Sequence, residues 1–159
     1  AIFIPGGLVH AIDEGCLLLE VQQNSNTTYR IYDWDRVGAD GKPRPLHLKE
    51  ALQVIRWDAM DNPKLQPREL GGCGGNRFSE ILRCPYFCLE RIELAERMPL
   101  GGEGGSFTIL FVASGRGLIE SGGAGDVLAP GDTCLVPAVL TDCLLKPLEG
   151  TAEVLRITA

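Results

Sequence analysis

Short apolar runs, interrupted every few residues by glycine, proline or aspartate, recur along most of this chain and argue against long helices as its main element. The runs that read as strands are Ile2–Pro5, Cys16–Gln22, Thr28–Tyr32, Tyr86–Leu94, Ser106–Ala113, Gly117–Glu120, Thr133–Val136, Asp142–Leu145 and Ala152–Ile157. Alternation is clearest in Tyr86–Leu94, where Phe87, Leu89, Arg91 and Glu93 oppose Tyr86, Cys88, Glu90, Ile92 and Leu94. Twenty glycines and ten prolines without a period supply turns, and a hydrophobic content of 45% is enough to fill a core. Closely spaced short strands of this kind predict a mainly β fold, an antiparallel sandwich or jelly roll.

One helix stands out, from about Pro45 to Trp57. Proline sits without cost in a first turn, and Leu48, Leu52 and Ile55 fall on one stripe, with Lys49, Glu50, Gln53 and Arg56 elsewhere. The stretch Asp58–Gly75 holds two prolines and the glycines Gly71, Gly72, Gly74 and Gly75, and reads as a linker or a loop crossing between two β units. No helix pattern or G-K-[ST] follows those glycines, so they are not a phosphate cradle. A weak internal repeat supports two units: Ile4-Pro5-Gly6-Gly7-Leu8-Val9-His10-Ala11 aligns with Val136-Pro137-Ala138-Val139-Leu140-Thr141-Asp142-Cys143. The expected layout is the end of one β unit over 1–38, a helix and linker over 39–75, and a second β unit over 76–159. Ala1 opens inside an apolar run with no Met and reads as a cut end through the first unit.

A net charge of −6 argues against nucleic acid as a partner, since phosphates reward a basic face. No apolar run approaches the ~20 residues of a membrane helix. The cysteines Cys16, Cys73, Cys84, Cys88, Cys134 and Cys143 form no C-x-x-C pair. They read as buried thiols of a reducing, cytoplasmic setting rather than as disulfides or a zinc knuckle.

Gly131-Asp132-Thr133-Cys134-Leu135-Val136-Pro137 is a G-D-x-x-x-V-P run, a turn feeding a strand that ends at proline. It resembles the second conserved motif of cupins, in which a histidine after the proline is a metal ligand. In the first copy that histidine is His10. The segment His10-Ala11-Ile12 is followed by Leu18-Leu19-Glu20-Val21-Gln22-Gln23-Asn24-Ser25-Asn26-Thr27-Thr28-Tyr29-Arg30-Ile31-Tyr32-Asp33-Trp34-Asp35-Arg36. These residues, continued by Gly41-Lys42-Pro43-Arg44-Pro45-Leu46-His47, strongly resemble the type I mannose-6-phosphate isomerases of the cupin superfamily. The resemblance runs closely from Ile2 to about Ile55 and more loosely from Cys84 to Arg156.

That resemblance implies a cupin-type antiparallel jelly roll as the C-terminal unit, plus a truncated piece of a second one, joined by the helix. It implies a zinc held by a Gln, two His and a Glu, with His10 as one ligand and the other three upstream of this chain. Arg30 becomes the active-site arginine, near the reacting end or the phosphate of the sugar. Glu20 becomes a carboxylate lining the pocket. A tight hairpin at Asp13-Glu14-Gly15 would set Ile12 against Cys16 and His10 against Leu18, placing His10 and Glu20 on one sheet face. Many relatives carry Asp where this chain has Asn26, and an amide does not transfer a proton as a carboxylate does. Asp142 stands where the first copy has His10, Ser106 and Thr108 stand where a metal-binding cupin carries H-x-H, and no histidine follows His47. The second unit therefore reads as metal-free and structural.

Blander readings exist for each residue. A lone histidine after an apolar strand is commonly a satisfied core or surface residue. A strand arginine commonly makes an edge ion pair, and Glu20 could simply orient Arg30. His47 reads as a helix cap or packing residue, and Asp33-Trp34-Asp35-Arg36 as a structural turn with an ion pair. The implied activity interconverts mannose 6-phosphate and fructose 6-phosphate by moving a proton between C1 and C2. That step needs a base and a positive charge beside the developing oxyanion. The alternatives are a non-catalytic cupin that binds a sugar phosphate, and a different cupin metalloenzyme such as a dioxygenase or epimerase, which the Gln22–Arg30 run disfavours. The expected partner is a small-molecule sugar phosphate, and the isolated chain is expected to be inactive. Oligomeric state is not legible.

Overall fold

In the computed structural model, which describes residues 1–58, 62–100 and 105–159, the strands found among the described residues all lie in one of two units, Leu65–Ala159 together with Ala1. They are β1 (Arg68–Cys73), β2 (Asn76–Arg83), β3 (Cys88–Leu94), β4 (Met98–Leu100), β5 (Thr108–Ser114), β6 (Gly117–Ser121), β7 (Ala124–Leu128), β8 (Thr133–Val136), β9 (Cys143–Pro147) and β10 (Ala152–Thr158). One sheet runs β1-β2-β3-β10-β5-β8 and the other β4-β9-β6-β7, with every pairing antiparallel. The alternation read in Tyr86–Leu94 is realised in β3: Cys88, Glu90, Ile92 and Leu94 are buried while Glu93 is exposed.

Ile92, Leu94, Leu110, Val112 and Val154 of the first sheet join Leu100, Leu128, Cys143 and Leu145 of the second in a single core. Each large side chain removed from water there contributes about 1.5–3 kcal/mol. Two antiparallel sheets closed over one core form the cupin-type jelly roll expected from the sequence.

The turns are set by residue type. Gly131, at φ +92°, donates its N–H to Val112 O at 2.9 Å, and Asp132 Oδ2 accepts the Ala129 N–H at 2.8 Å. That is the physical content of the Gly-Asp pair: glycine supplies the left-handed turn and aspartate caps it before β8 begins. Gly115, at φ +72°, has no room for a Cβ, which would sit 2.5 Å from Thr151 O and 2.7 Å from Ala152 Cα.

Several expectations need correction. The stretch read as a linker contains β1 and the loop to β2, so the second unit starts at Leu65 rather than 76. Gly74 and Gly75 form a two-residue hairpin loop between the paired Cys73 and Asn76. The strands β2, β4 and β7 are not among those that the sequence pattern predicts. Among the cysteines, which are all free thiols, Cys88 and Cys143 are buried and Cys84 and Cys134 partly so, whereas Cys16 and Cys73 are exposed.

The unit Ile2–Lys64 departs further. Ile2–Pro5, Cys16–Gln22 and Thr28–Tyr32 are not strands: among its described residues the unit has only isolated bridges, Ile2 with Lys64 and Val37 with Pro43. The turn at Glu14-Gly15 forms, with Gly15 at φ +77°, but its arms do not pair, so the expected hairpin ladder is absent. Alternation specifies which face a strand presents, not which segment pairs with it. With no ladder partner at hand these apolar runs stay exposed, Leu17 completely and Val9 and Leu18 at least half.

The helix, α1, is Leu48–Val54, shorter than the expected Pro45–Trp57. Before it, the His47 N–H donates to Arg30 O at 2.8 Å; after it, the Arg56 N–H donates to Gly7 O at 2.9 Å. Backbone bonds to neighbouring segments thus replace the helical ones at both ends. Gly7 is at φ +85°, and a Cβ there would lie 2.5 Å from Val54 O. The leucine stripe does not anchor α1, because Leu48 and Leu52 are 51% and 60% exposed while Ala51 is buried.

Candidate active site

The repeat seen in the sequence is repeated in the backbone. The Leu8 N–H donates to Pro5 O at 3.1 Å, and the Leu140 N–H to Pro137 O at 3.1 Å. The same proline-closed turn therefore precedes His10 in one unit and Asp142 in the other. His10 is exposed, and its Nδ1 lies 3.0 Å from Leu8 O. A carbonyl only accepts, so this bond puts the proton on Nδ1 and leaves the Nε2 lone pair outward. A backbone carbonyl on the far nitrogen is the usual way an imidazole ligand is oriented toward a metal.

His10 alone does not make a metal site. Among the described residues no three His, Cys, Asp or Glu side chains come close enough together to hold an ion. Zinc needs at least three protein ligands. Among the described residues, His10 could thus hold zinc only as one ligand of a site that they do not complete, and no chemical step is derived through it.

Arg30 sits in a built environment. Its own N–H donates to His47 Nδ1 at 3.1 Å, its carbonyl accepts from the His47 N–H at 2.8 Å, and its Nη1 donates to Pro45 O at 3.3 Å. Its Nε lies 3.8 Å from Asp33 Oδ1. Asp33, buried at 8% exposure, is principally held by Arg44, whose Nε donates to Oδ2 at 2.7 Å and whose Nη2 donates to Oδ1. The Arg44 hydrogen bond keeps the Asp33 carboxyl below the usual carboxylate range and raises Arg44 in turn. Because the Arg44 fork takes both oxygens in hydrogen bonds, Asp33 offers Arg30 only a longer contact and shares its one negative charge between the two arginines.

The turn that carries Asp33 is unusual. Trp34 and Asp35 both have positive φ, 52° and 53°, and the Arg36 N–H closes the turn on Asp33 O at 3.0 Å. Non-glycine residues in this region cost roughly 1–2 kcal/mol each. The Asp33–Arg44 fork offsets that cost, together with the Arg36 guanidinium 5.2 Å above the Trp34 ring and the Tyr32 ring at 5.5 Å. The run read as a turn with an ion pair is therefore a turn, but its carboxylate pairs with Arg44 and Arg30 rather than with Arg36. Glu20 is exposed, and no hydrogen bond or ion pair among the described residues joins it to His10 or Arg30. Arg44 and His47 are the residues that sequence reasoning did not place at this site.

In the other unit Asp142 has a structural task. It accepts from Ser121 Oγ at 2.7 Å and from the Gly122 N–H at 2.9 Å, tying down the β6–β7 turn. The core-side face of β1, β2, β3 and β10 carries a row of charges in register: Arg68 opposite Glu80, Glu80 opposite Glu90, and Glu90 opposite Arg156. Arg68 and Arg83 neutralise Glu80 at 2.9 and 2.7 Å, and Arg156 neutralises Glu90 at 2.8 Å. Hydrogen bonds, from Ser121 to Asp142 and from Arg83 and then Arg68 to Glu80, lower both carboxyls.

A carboxyl lowered in the folded state adds stability above its unfolded value. That stability is lost as pH falls through the folded one. The ordinary values are 3.8 for Asp142 and 4.5 for Glu80, so urea midpoints should hold between neutrality and pH 5.5 and drop below about 4.5. Asp142→Asn should lower the midpoint at pH 7 and flatten the acid limb. An unchanged midpoint and limb would remove Asp142 from the account.

No protein-family profile matches the chain. By sequence it is 36% identical over 151 residues to mannose-6-phosphate isomerase ManA of Bacillus subtilis, covering 95% of this chain and 46% of that protein. A probable mannose-6-phosphate isomerase, GmuF, from the same organism is 31% identical over 151 residues, again covering 95% of this chain and 46% of the relative. In structure, the chain superimposes on the mannose 6-phosphate isomerase crystal structure from Bacillus subtilis with a TM-score of 0.71 and 26% identity, over 86% of this chain and 42% of that one. The chain thus spans a little under half the length of the relatives it matches. No described helix is long and apolar enough to cross a membrane. Over nearly all of its own length, the chain is thus similar in sequence and in fold to part of a mannose-6-phosphate isomerase.

Proposed function

We propose that this chain contributes one wall of the active site of a mannose-6-phosphate isomerase, which interconverts mannose 6-phosphate and fructose 6-phosphate. The observation that carries the reading is Arg30. Its backbone is fixed at both N–H and C=O, and the one carboxylate paired with it among the described residues, Asp33, is held mainly by Arg44. A preorganised guanidinium that shares its carboxylate with a second arginine retains local positive charge for a developing oxyanion or a phosphate. In this reading Arg30 stabilises negative charge on the substrate, and Glu20 lines the same pocket. His10 offers Nε2 as one ligand of a zinc whose remaining ligands come from family length outside this chain. When bound, zinc would polarise the sugar oxygens.

The isolated chain, with one identified ligand, should bind zinc poorly and show no isomerase activity. Isothermal titration with zinc and a coupled isomerase assay test this directly. Tight stoichiometric zinc binding by the isolated chain would mean that its ligands are other than proposed. Binding of sugar phosphate without turnover, in a protein of full family length, would favour the non-catalytic alternative.

A further inference from the structure

We infer that His47 is a positioning residue for Arg30, using its imidazole rather than capping α1. The inference rests on the reading that Arg30 meets the sugar phosphate. The bland expectation for a histidine at a helix start is a cap, but the His47 side chain makes no cap bond to α1. The ring nitrogen Nδ1 instead accepts the Arg30 N–H at 3.1 Å, while the His47 N–H reaches Arg30 O at 2.8 Å. Both polar groups of one residue are thereby held by one residue 17 positions away. The pattern is that of a strand pair in which an imidazole replaces one of the two carbonyls.

Two neighbours reinforce the clamp. The Arg30 guanidinium rests on Pro45 O at 3.3 Å, so its backbone and its side chain both lie on the segment Pro45–His47. Proline has a fixed φ and no N–H of its own, which keeps that support stiff. The Tyr29 ring lies 6.2 Å from the imidazole. Because Nδ1 accepts, it carries no proton, and the neutral ring is the tautomer protonated on Nε2. Fixing N–H and C=O together fixes the Arg30 Cα–Cβ direction, and with it the place where the guanidinium meets substrate.

His47→Asn and His47→Phe separate the roles. Asparagine Oδ1 occupies nearly the position of histidine Nδ1, two bonds from Cβ, and accepts as it does; phenylalanine keeps the ring and loses the acceptor. In the isolated chain, the Arg30 amide should exchange with solvent roughly 3–10-fold faster in His47→Phe than in wild type or His47→Asn, the scale of one net hydrogen bond. In an isomerase of full family length that carries this chain, His47→Phe should lower kcat by a similar or larger factor with little change in KM. His47→Asn should stay within about threefold.

A folded His47→Phe enzyme with normal kcat, beside an Arg30→Lys enzyme that is crippled, would overturn the positioning role alone. If Arg30→Lys is also normal, the functional reading falls and takes the role with it, while the exchange rates still report whether the bond exists. Should His47→Phe fail to fold, His47→Gln replaces it, since Gln moves the acceptor one carbon outward. Equal kcat for the Asn and Gln variants would then overturn the inference.

Discussion

Replacing Arg30 by lysine in an isomerase of full family length is expected to lower kcat by on the order of 10²–10³, the scale of losing one preorganised oxyanion donor. Lysine keeps the charge but not the planar fork, so it cannot rest on Pro45 O and still face two substrate oxygens. The backbone clamp by His47 does not depend on the side chain, so the variant should fold. A purely structural arginine predicts the reverse pattern: a lowered melting temperature with less than about threefold loss in kcat. Near-normal kcat in a well-folded Arg30→Lys enzyme would remove Arg30 from the site.

The largest stability effect is expected at Leu145, which is fully buried in β9 between the two sheets. Leu145→Ala removes three carbons from a close-packed core and should cost about 2–5 kcal/mol. For a unit of this size that corresponds to a fall in melting temperature of roughly 10–30 °C. Leu135, in edge strand β8 and 57% exposed, is the control. Leu135→Ala should change stability by no more than about 0.5 kcal/mol. Comparable losses at the two positions, read by thermal or urea unfolding, would contradict the assignment of the core.

The strands that were legible are those whose residues had to alternate. β3, β5 and β10 occupy interior places in their sheet, and the buried pairs Ile92 and Leu94, Leu110 and Val112, and Ala152 and Val154 each stand two residues apart, the period of a half-buried strand. β1 and β7 lie at sheet edges, with β1 exposed throughout, so nothing forces an apolar pattern on Arg68–Cys73 or Ala124–Leu128. β2 is interior, but an irregularity between Glu80 and Leu82 breaks its alternation. The reverse holds for Cys16–Gln22 and Thr28–Tyr32, where apolar content implies a face and says nothing about a partner.

The site was legible to the same degree. His10 and Arg30 are candidates only through resemblance, which local runs around them carry. Asp33 with Arg44, 11 residues apart, and Arg30 with His47, 17 apart, are non-local pairs that no spacing rule specifies. The signal that existed was indirect: an aspartate inside an aromatic turn, followed by a second arginine, must find a partner if it is buried.

The central claim is that this chain carries part of an isomerase site, and turnover tests it most directly. The measurement is conversion of mannose 6-phosphate to fructose 6-phosphate by a protein of full family length carrying this chain, with zinc content determined on the same sample, for wild type and His10→Ala. The account predicts turnover with about one zinc per protein in wild type, and loss of both in a folded His10→Ala protein. A well-folded, zinc-loaded wild-type protein without turnover, or a His10→Ala protein that keeps its zinc and its activity, would contradict it.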